Sequence, residues 1–258
     1  MPRFAANLQW LFPEHAFLDR FAAARAAGFQ AVEFPAPYAH PAREIAVRLQ
    51  EHGLECVLFN LPSGDRGRGD FGLGCRPERE TEFRAGVGRA IEYARVLGVR
   101  QVNCISGRAV EGDDRAALER TLVANLRYAA RELRAAGLEL LIEPINTHDV
   151  PGFAVPTAAE GARLVAEVAE PNFGLQLDLY HTAMMGDDGA AKLAELRPII
   201  RHIQFADAPG RGEPGTGQLD LDRLFSDIDA SGYRGWVSAE YRPSGPTEQS
   251  LHWLPRTA

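Results

Sequence analysis

A short apolar run followed by a longer segment with helical spacing recurs eight times along this chain, and that alternation constrains the fold more than any other feature. The apolar runs read as strands: "RFAANL" (3–8), "AVEF" (31–34), "LECVLFNL" (54–61), "VRQVNCIS" (99–106), "LELLIEP" (138–144), "FGLQLDLY" (173–180), "RHIQFAD" (201–207) and "GWVSAEY" (235–241). The helical segments between them stop on glycine, as in "FLDRFAAARAAG" at Gly28, "IAVRLQEHG" at Gly53, "AIEYARVLG" at Gly98 and "LRYAARELRAAG" at Gly137. Glycine suits a chain that must leave a helix and turn back into a strand. Eight such units in 258 residues predict a (β/α)8 TIM barrel, with parallel strands buried inside a ring of helices. An open doubly wound sheet is the alternative.

Length alone fits one large domain or two small ones, but no linker, low-complexity tract or internal repeat divides the chain, so a single domain over 1–258 is expected. Hydrophobic residues make up 45%, enough for a large core, and no apolar run approaches the roughly 18 residues of a membrane helix. The opening "MPRFAANLQWLF" lacks the long apolar stretch of an export signal and reads as a first strand. Cys56, Cys75 and Cys104 are widely spaced and form no C-x-x-C pair, which predicts neither a disulfide framework nor a zinc knuckle. A protein of the reducing cytoplasm, free of membrane, is the expectation. The formal charge of −7, with basic residues scattered, opposes binding to nucleic acid.

Four strand ends carry the chemistry. "LLIEP" ends on Glu143, "LQLDLY" contains Asp178, "HIQFA" contains Gln204 and "VSAEY" contains Glu240. In a closed barrel the carboxyl ends of the strands converge on one mouth, where active sites sit. Three carboxylates brought together there repel one another unless a cation lies among them. With the amide oxygen of Gln204 they form a hard, all-oxygen set, which suits Mg²⁺ or Mn²⁺ better than Zn²⁺. Taken singly, each of the four is as readily a rim residue or a hydrogen-bond partner of the backbone; their coincidence on consecutive strands points to a shared site.

Other residues near the same mouth have two readings each. His181, three residues after Asp178, is either a core or capping histidine or a contact for ligand. Arg211, in the glycine-rich loop "APGRGEPGTGQLD" (208–220), has the planar fork that binds a carboxylate or enolate oxygen, or is solvated. That loop lacks the Gly-Lys-Ser/Thr ending of a phosphate cradle, so its glycines read as turns near a ligand. Arg66 and Arg68, in the long loop "PSGDRGRGDFGLGCRP" (62–77), form a cationic lid or a solvated pair. Glu33 is a rim residue or a substrate contact; Asn60 and Asn103 donate to ligand oxygens or cap loops. Trp10, Phe12, Phe34 and Phe59 wall the pocket or belong to the core.

Together, "ANLQWLF", "FNLPSGD", "VNCISG", "LLIEPIN", "QLDLYH", "HIQFADAPGRGEPGTG" and "GWVSAEY" resemble the hydroxypyruvate isomerase family, within the xylose-isomerase-like TIM-barrel superfamily that also holds ketose 3-epimerases and endonuclease IV. The resemblance spans the whole chain. It implies an isomerase that converts hydroxypyruvate to tartronate semialdehyde (2-hydroxy-3-oxopropanoate) through an enediolate. It implies Glu143 and Glu240 as the catalytic carboxylates, Glu143, Asp178, Gln204 and Glu240 as ligands of a divalent metal, and His181 and Arg211 as contacts to substrate oxygens. A homo-oligomer, dimer or tetramer, is implied as well. Many epimerases have histidine where this chain has Gln204, and the nuclease relies on histidines where this chain has Asn60 and Asn103. A 2-oxo-tetronate isomerase would keep every residue named; a ketose 3-epimerase and a catalytically silent sugar-acid binding protein are the further alternatives.

Overall fold

In the computed structural model, which describes residues 1–255, eight parallel strands close into a barrel in sequence order. They are β1 (Arg3–Asn7), β2 (Ala31–Glu33), β3 (Glu55–Asn60), β4 (Gln101–Cys104), β5 (Glu139–Ile142), β6 (Phe173–Asp178), β7 (Ile200–Phe205) and β8 (Trp236–Ala239), with β8 paired back onto β1. This is the expected (β/α)8 architecture, and the open sheet is excluded. The helices are α1 (Arg20–Ala26), α2 (Ala42–His52), α3 (Glu80–Leu97), α4 (Arg115–Ala135), α5 (Ala158–Val168), α6 (Leu179–Met184), α7 (Gly189–Leu196) and α8 (Leu221–Ala230). Gly53 and Gly98 close α2 and α3 in the left-handed conformation, at φ of 59° and 70°.

The eightfold alternation is not perfectly regular. After β6 the helical segment is broken into α6 and α7, and after β8 the described chain forms only the short 3-10 turn Thr247–Ser250. Where an eighth helix would lie, the Trp253 ring packs edge-on against Phe4 of β1 and Phe205 of β7, with centroids 5.1 and 5.0 Å apart. One large aromatic thus covers the seam between the last strands and the first. Several strands are also shorter than their apolar runs: β5 stops at Ile142, and Leu179 and Tyr180 belong to α6.

Strand periodicity decides what faces the lumen, because successive side chains point to opposite sides of a sheet. On β5, Leu140 and Ile142 join the main core under the helices, which turns Leu141 and then Glu143 inward. Leu175 and Leu177 leave Gln176 and Asp178 inward on β6; Ile203 and Phe205 do the same for His202 and Gln204 on β7; Val237 and Ala239 for Ser238 and Glu240 on β8. The barrel interior is therefore mostly polar on this side. The register shifts at Val32/Glu33 and at Leu175/Gln176, and such irregularities re-aim inward side chains. All three cysteines are free and buried, and no described helix is long and apolar enough to cross a membrane.

Candidate active site

Glu143, Asp178 and Glu240 meet at the carboxyl ends of β5, β6 and β8, all buried, and Glu143 and Glu240 line a cavity of about 850 Å³ that opens at this end of the barrel. Glu143 and Glu240 each accept a single side-chain hydrogen bond, while Asp178 is bonded on both oxygens. Glu143 accepts one bond, at 3.2 Å, from the Asn103 amide. Asp178 caps α6 with Oδ1, 2.8 Å from the Tyr180 N–H, and turns Oδ2 toward the centre. Glu240 Oε1 accepts from the Trp10 indole N–H at 2.9 Å, while its Oε2 has no hydrogen bond although Arg211 Nη2 lies 3.3 Å away.

Arg211 is the counter-charge to all three. Its Nη2 stands 3.4 Å from Asp178 Oδ2, its Nε donates to the Glu240 carbonyl at 3.2 Å, and its Nη1 lies 3.2 Å from His181 Nε2. The residue sits at φ 57°, a conformation that side-chain-bearing residues rarely adopt. The surrounding loop enforces it. The Asp207 carboxylate accepts backbone N–H bonds from Ala208, Gly215, Gly217 and Leu219 at 2.8–3.0 Å, and the Arg211 carbonyl accepts from the Arg242 N–H at 2.7 Å.

One guanidinium does not balance three buried carboxyls. Burial, then the neighbouring Glu240 and Asp178, push the Glu143 carboxyl well above its ordinary range. Burial raises Asp178 and Glu240 as well, in each case opposed chiefly by Arg211. Burial alone would loosen the Arg211 proton, but the three carboxylates outweigh it and hold the proton more tightly. Burial and the adjacent Arg211 push the His181 imidazolium well below its usual range, so the ring is neutral.

The tautomer of His181 follows from its neighbours. Asn146 Oδ1 accepts from the Asp149 N–H at 2.8 Å, and Asn146 Nδ2 reaches the Asp149 carboxylate at 3.1 Å, so the amide cannot be reversed. Its second N–H then faces His181 Nδ1 at 2.6 Å, which makes Nδ1 an acceptor and leaves the proton on Nε2. Nε2–H and Arg211 Nη1 are two donors side by side, open to one shared oxygen acceptor. Sequence reasoning passed over Asn146 and Asp149; the Asn-x-x-Asp spacing in "INTHD" was the available signal.

Glu143, Asp178 and His181 each offer a ligand atom within 4.8 Å of the others. A divalent cation fits this spot on two observations: the surplus of buried negative charge, and the open oxygen of Glu240. The carboxylate oxygens suit a hard ion, whereas the Nε2 proton makes His181 a donor rather than a ligand. Gln204, expected to complete the oxygen set, is engaged elsewhere: its NH₂ donates to Glu33 at 2.6 Å and its oxygen accepts from Gln176 at 2.5 Å.

Glu33 is neither a rim residue nor a cavity contact. It lies fully buried in the lumen and accepts from Asn7 at 2.8 Å and Gln204 at 2.6 Å, with His202 Nε2 2.6 Å from its other oxygen. Asn103 serves Glu143 and also donates to Asn60. Trp10 walls the cavity, while Phe12, Phe34 and Phe59 belong to the core. The expected arginine lid splits: Arg66 lines the cavity and Arg68 turns to Asp65, 3.5 Å away.

A family model for the xylose isomerase-like TIM barrel matches residues 21–257. The chain belongs to that family. Among its curated relatives, the 2-oxo-tetronate isomerase of Cupriavidus necator is 45% identical over 254 residues, and the hydroxypyruvate isomerase of Escherichia coli 44% over 254, each alignment covering 98% of both chains. Among solved structures, the AP endonuclease, family 2 from Brucella melitensis superposes with a TM-score of 0.96 at 44% identity, over 98% of each chain. Proteins similar to this chain over nearly its whole length are thus named for different activities, and the choice among them rests on the site.

Proposed function

We propose that this protein is an isomerase of small 2-keto acids that converts hydroxypyruvate to tartronate semialdehyde by proton transfer through an enediolate. The observation that carries this reading is the pair Glu143 and Glu240, two buried carboxyls with raised proton affinity facing one cavity, beside the donors of His181 and Arg211. Carboxyls tuned toward neutral pH can each hold or release a proton during turnover. Relatives named as keto-acid isomerases at 44–45% identity support the same chemistry.

Of the two glutamates, Glu240 is the base, because the Trp10 N–H and Arg211 favour its charged form, and Glu143, with one weak amide donor and two carboxyl neighbours, is the acid. Glu240 removes a proton from the hydroxymethyl carbon, and the electron pair moves onto the carbonyl oxygen to give the enediolate. Nε2–H of His181 and Nη1 of Arg211 converge on that oxygen and stabilise its charge. Glu143 then delivers its proton to the neighbouring carbon while the terminal hydroxyl gives its proton to the former carbonyl oxygen, so that the end carbon becomes the aldehyde and the carbon beside the carboxylate a hydroxymethine. Glu240 afterwards releases its proton to solvent and Glu143 regains one. Glu143, Asp178 and Glu240 would hold Mg²⁺ or Mn²⁺, which when bound supplies Lewis acidity and offsets the carboxylate charge. Three free, buried thiols agree with a reducing cytoplasm as the place of work.

The same residues serve 2-oxo-tetronate, a substrate one carbon longer, and relatives of both names match this chain almost equally. The test is turnover of hydroxypyruvate, 2-oxo-tetronate and a ketohexose, each with and without chelator. Conversion of a keto acid, lost on chelation, is the expected result. Conversion of the ketohexose alone would replace this reading with epimerase chemistry.

A further inference from the structure

Three arginines line the cavity, Arg66, Arg211 and Arg242, and their commitments differ. Arg211 is largely committed: its Nε donates to the Glu240 carbonyl and its Nη2 faces the Asp178 and Glu240 carboxylates, which leaves only Nη1, beside His181, for the substrate's carbonyl oxygen. It has no fork left with which to clamp a substrate carboxylate. Arg66 and Arg242 are exposed at the mouth and have no ion-pair partner among the described residues. Each is instead laid on an aromatic wall of the cavity, Arg66 with its guanidinium carbon 3.9 Å from the Phe71 ring centroid and Arg242 5.1 Å from that of Trp10. Such a contact attracts the cation to the ring without taking up its N–H donors.

Both are set by their loops. Asp65 and Asp70, the acids beside Arg66, are taken up: Asp65 by Arg68 and the Gly67 N–H, Asp70 by Arg79 and the Asp65 N–H. Gly64, at φ 87°, lets the chain pass Asp70 where a side chain would strike its carboxylate at 2.4 Å. Arg242 is zipped to the Arg211 loop by its N–H bond to the Arg211 carbonyl, 2.7 Å.

We propose that Arg66 and Arg242 together seat the carboxylate of the substrate at the outer end of the cavity, leaving its carbonyl end to reach His181 and the two glutamates. The proposal rests on the keto-acid reading and sharpens it: this site selects acids over neutral ketoses. A planar carboxylate matches the fork of a guanidinium, and a neutral sugar would leave both cations without a partner.

Binding of glycerate, a hydroxy acid that this chemistry does not consume, tests it by calorimetry, with glycerol as the neutral control. Glycerate should bind the wild type, weaken roughly tenfold in each of Arg66→Gln and Arg242→Gln, and recover only a minor part of that loss in the Lys variants, which restore the charge but not the fork. The KM for hydroxypyruvate should rise in parallel while kcat moves less. Failure of the wild type to bind glycerate, or unchanged glycerate affinity and KM in both Gln variants, would overturn the proposal. If the wild type turns over no keto acid yet glycerate binding falls as stated, the acid seat stands and the isomerase reading falls.

Discussion

Glu33 and Glu143 are both inward-facing carboxyls at the ends of barrel strands, both buried, and their surroundings drive their proton affinities in opposite directions. Burial by itself would raise Glu33, but His202, Gln204 and Asn7 outweigh it and hold the carboxylate below its ordinary range. The bonds to Glu33 tie β1, β2 and β7 together across the lumen. Glu143 has one amide donor and two carboxyl neighbours, so burial and repulsion act on it together. A satisfied carboxylate braces the barrel; an unsatisfied cluster stores free energy that a cation and a substrate can release.

The largest effect should come from breaking the unsatisfied side. Glu143→Gln and Glu240→Gln should each slow turnover of the keto acid by roughly 10²–10⁴-fold in steady-state kinetics, the usual contribution of a positioned acid or base. Near-normal turnover in either variant would take that residue out of the chemistry. On the satisfied side, Glu33→Gln should lower stability by about 3 kcal/mol or more in urea unfolding at neutral pH, since it strips a buried imidazole of its charged partner. Because Glu33 lies off the cavity, kcat should fall far less than in the other two variants.

A third, smaller effect probes how His181 is set. Asn146→Asp replaces the N–H that faces Nδ1 by an acceptor and draws the proton away from Nε2, so kcat should fall by about 10–100-fold with KM changed little. Rescue of kcat is not expected from Asn146→Gln, whose longer stem cannot keep both bonds to Asp149.

The smallest effect concerns pH and sharpens the contrast in sign. Glu33 has a lowered folded-state pKa, so its contribution to stability is present above the ordinary carboxylate value and lost as pH falls through the lowered one. Glu143, Asp178 and Glu240 have raised folded-state values, so their contribution is complete below the ordinary value and lost as pH rises through the raised ones. In chelator-treated protein, Glu33→Gln should flatten the acid limb of stability against pH. Glu240→Gln should flatten the alkaline limb and gain about 1 kcal/mol there, a stability increase bought with activity.

The same contrast marks where the sequence was readable. The barrel was legible because apolar runs, glycine stops and helical spacing agree along the chain. Glu143, Asp178 and Glu240 were legible as candidates, since an acid inside an apolar strand demands a partner. "AVEF" and "HIQFA" carry the same signature, yet Glu33 and Gln204 satisfy each other across the lumen. Period-2 patterning says which face a side chain takes and nothing about which strand it meets through the barrel. Register irregularities beside Glu33 and Gln176, which aim those side chains, leave no mark in composition. Arg66 and Arg68 looked like a pair at a spacing of two, but a tight turn sends them to different sides. The covering of the last seam by Trp253 was likewise hidden, because an eightfold pattern leads one to expect a helix there.

The central claim is that two separate carboxyls carry two separate protons, and solvent deuterium tests it most directly. With hydroxypyruvate in D₂O followed by NMR, wild-type product should carry deuterium on the carbon that receives the proton. Glu143→Gln should exchange the hydroxymethyl protons while making little product, and Glu240→Gln should do neither. Product formed by the wild type with only the substrate's own hydrogen at that carbon would contradict the account.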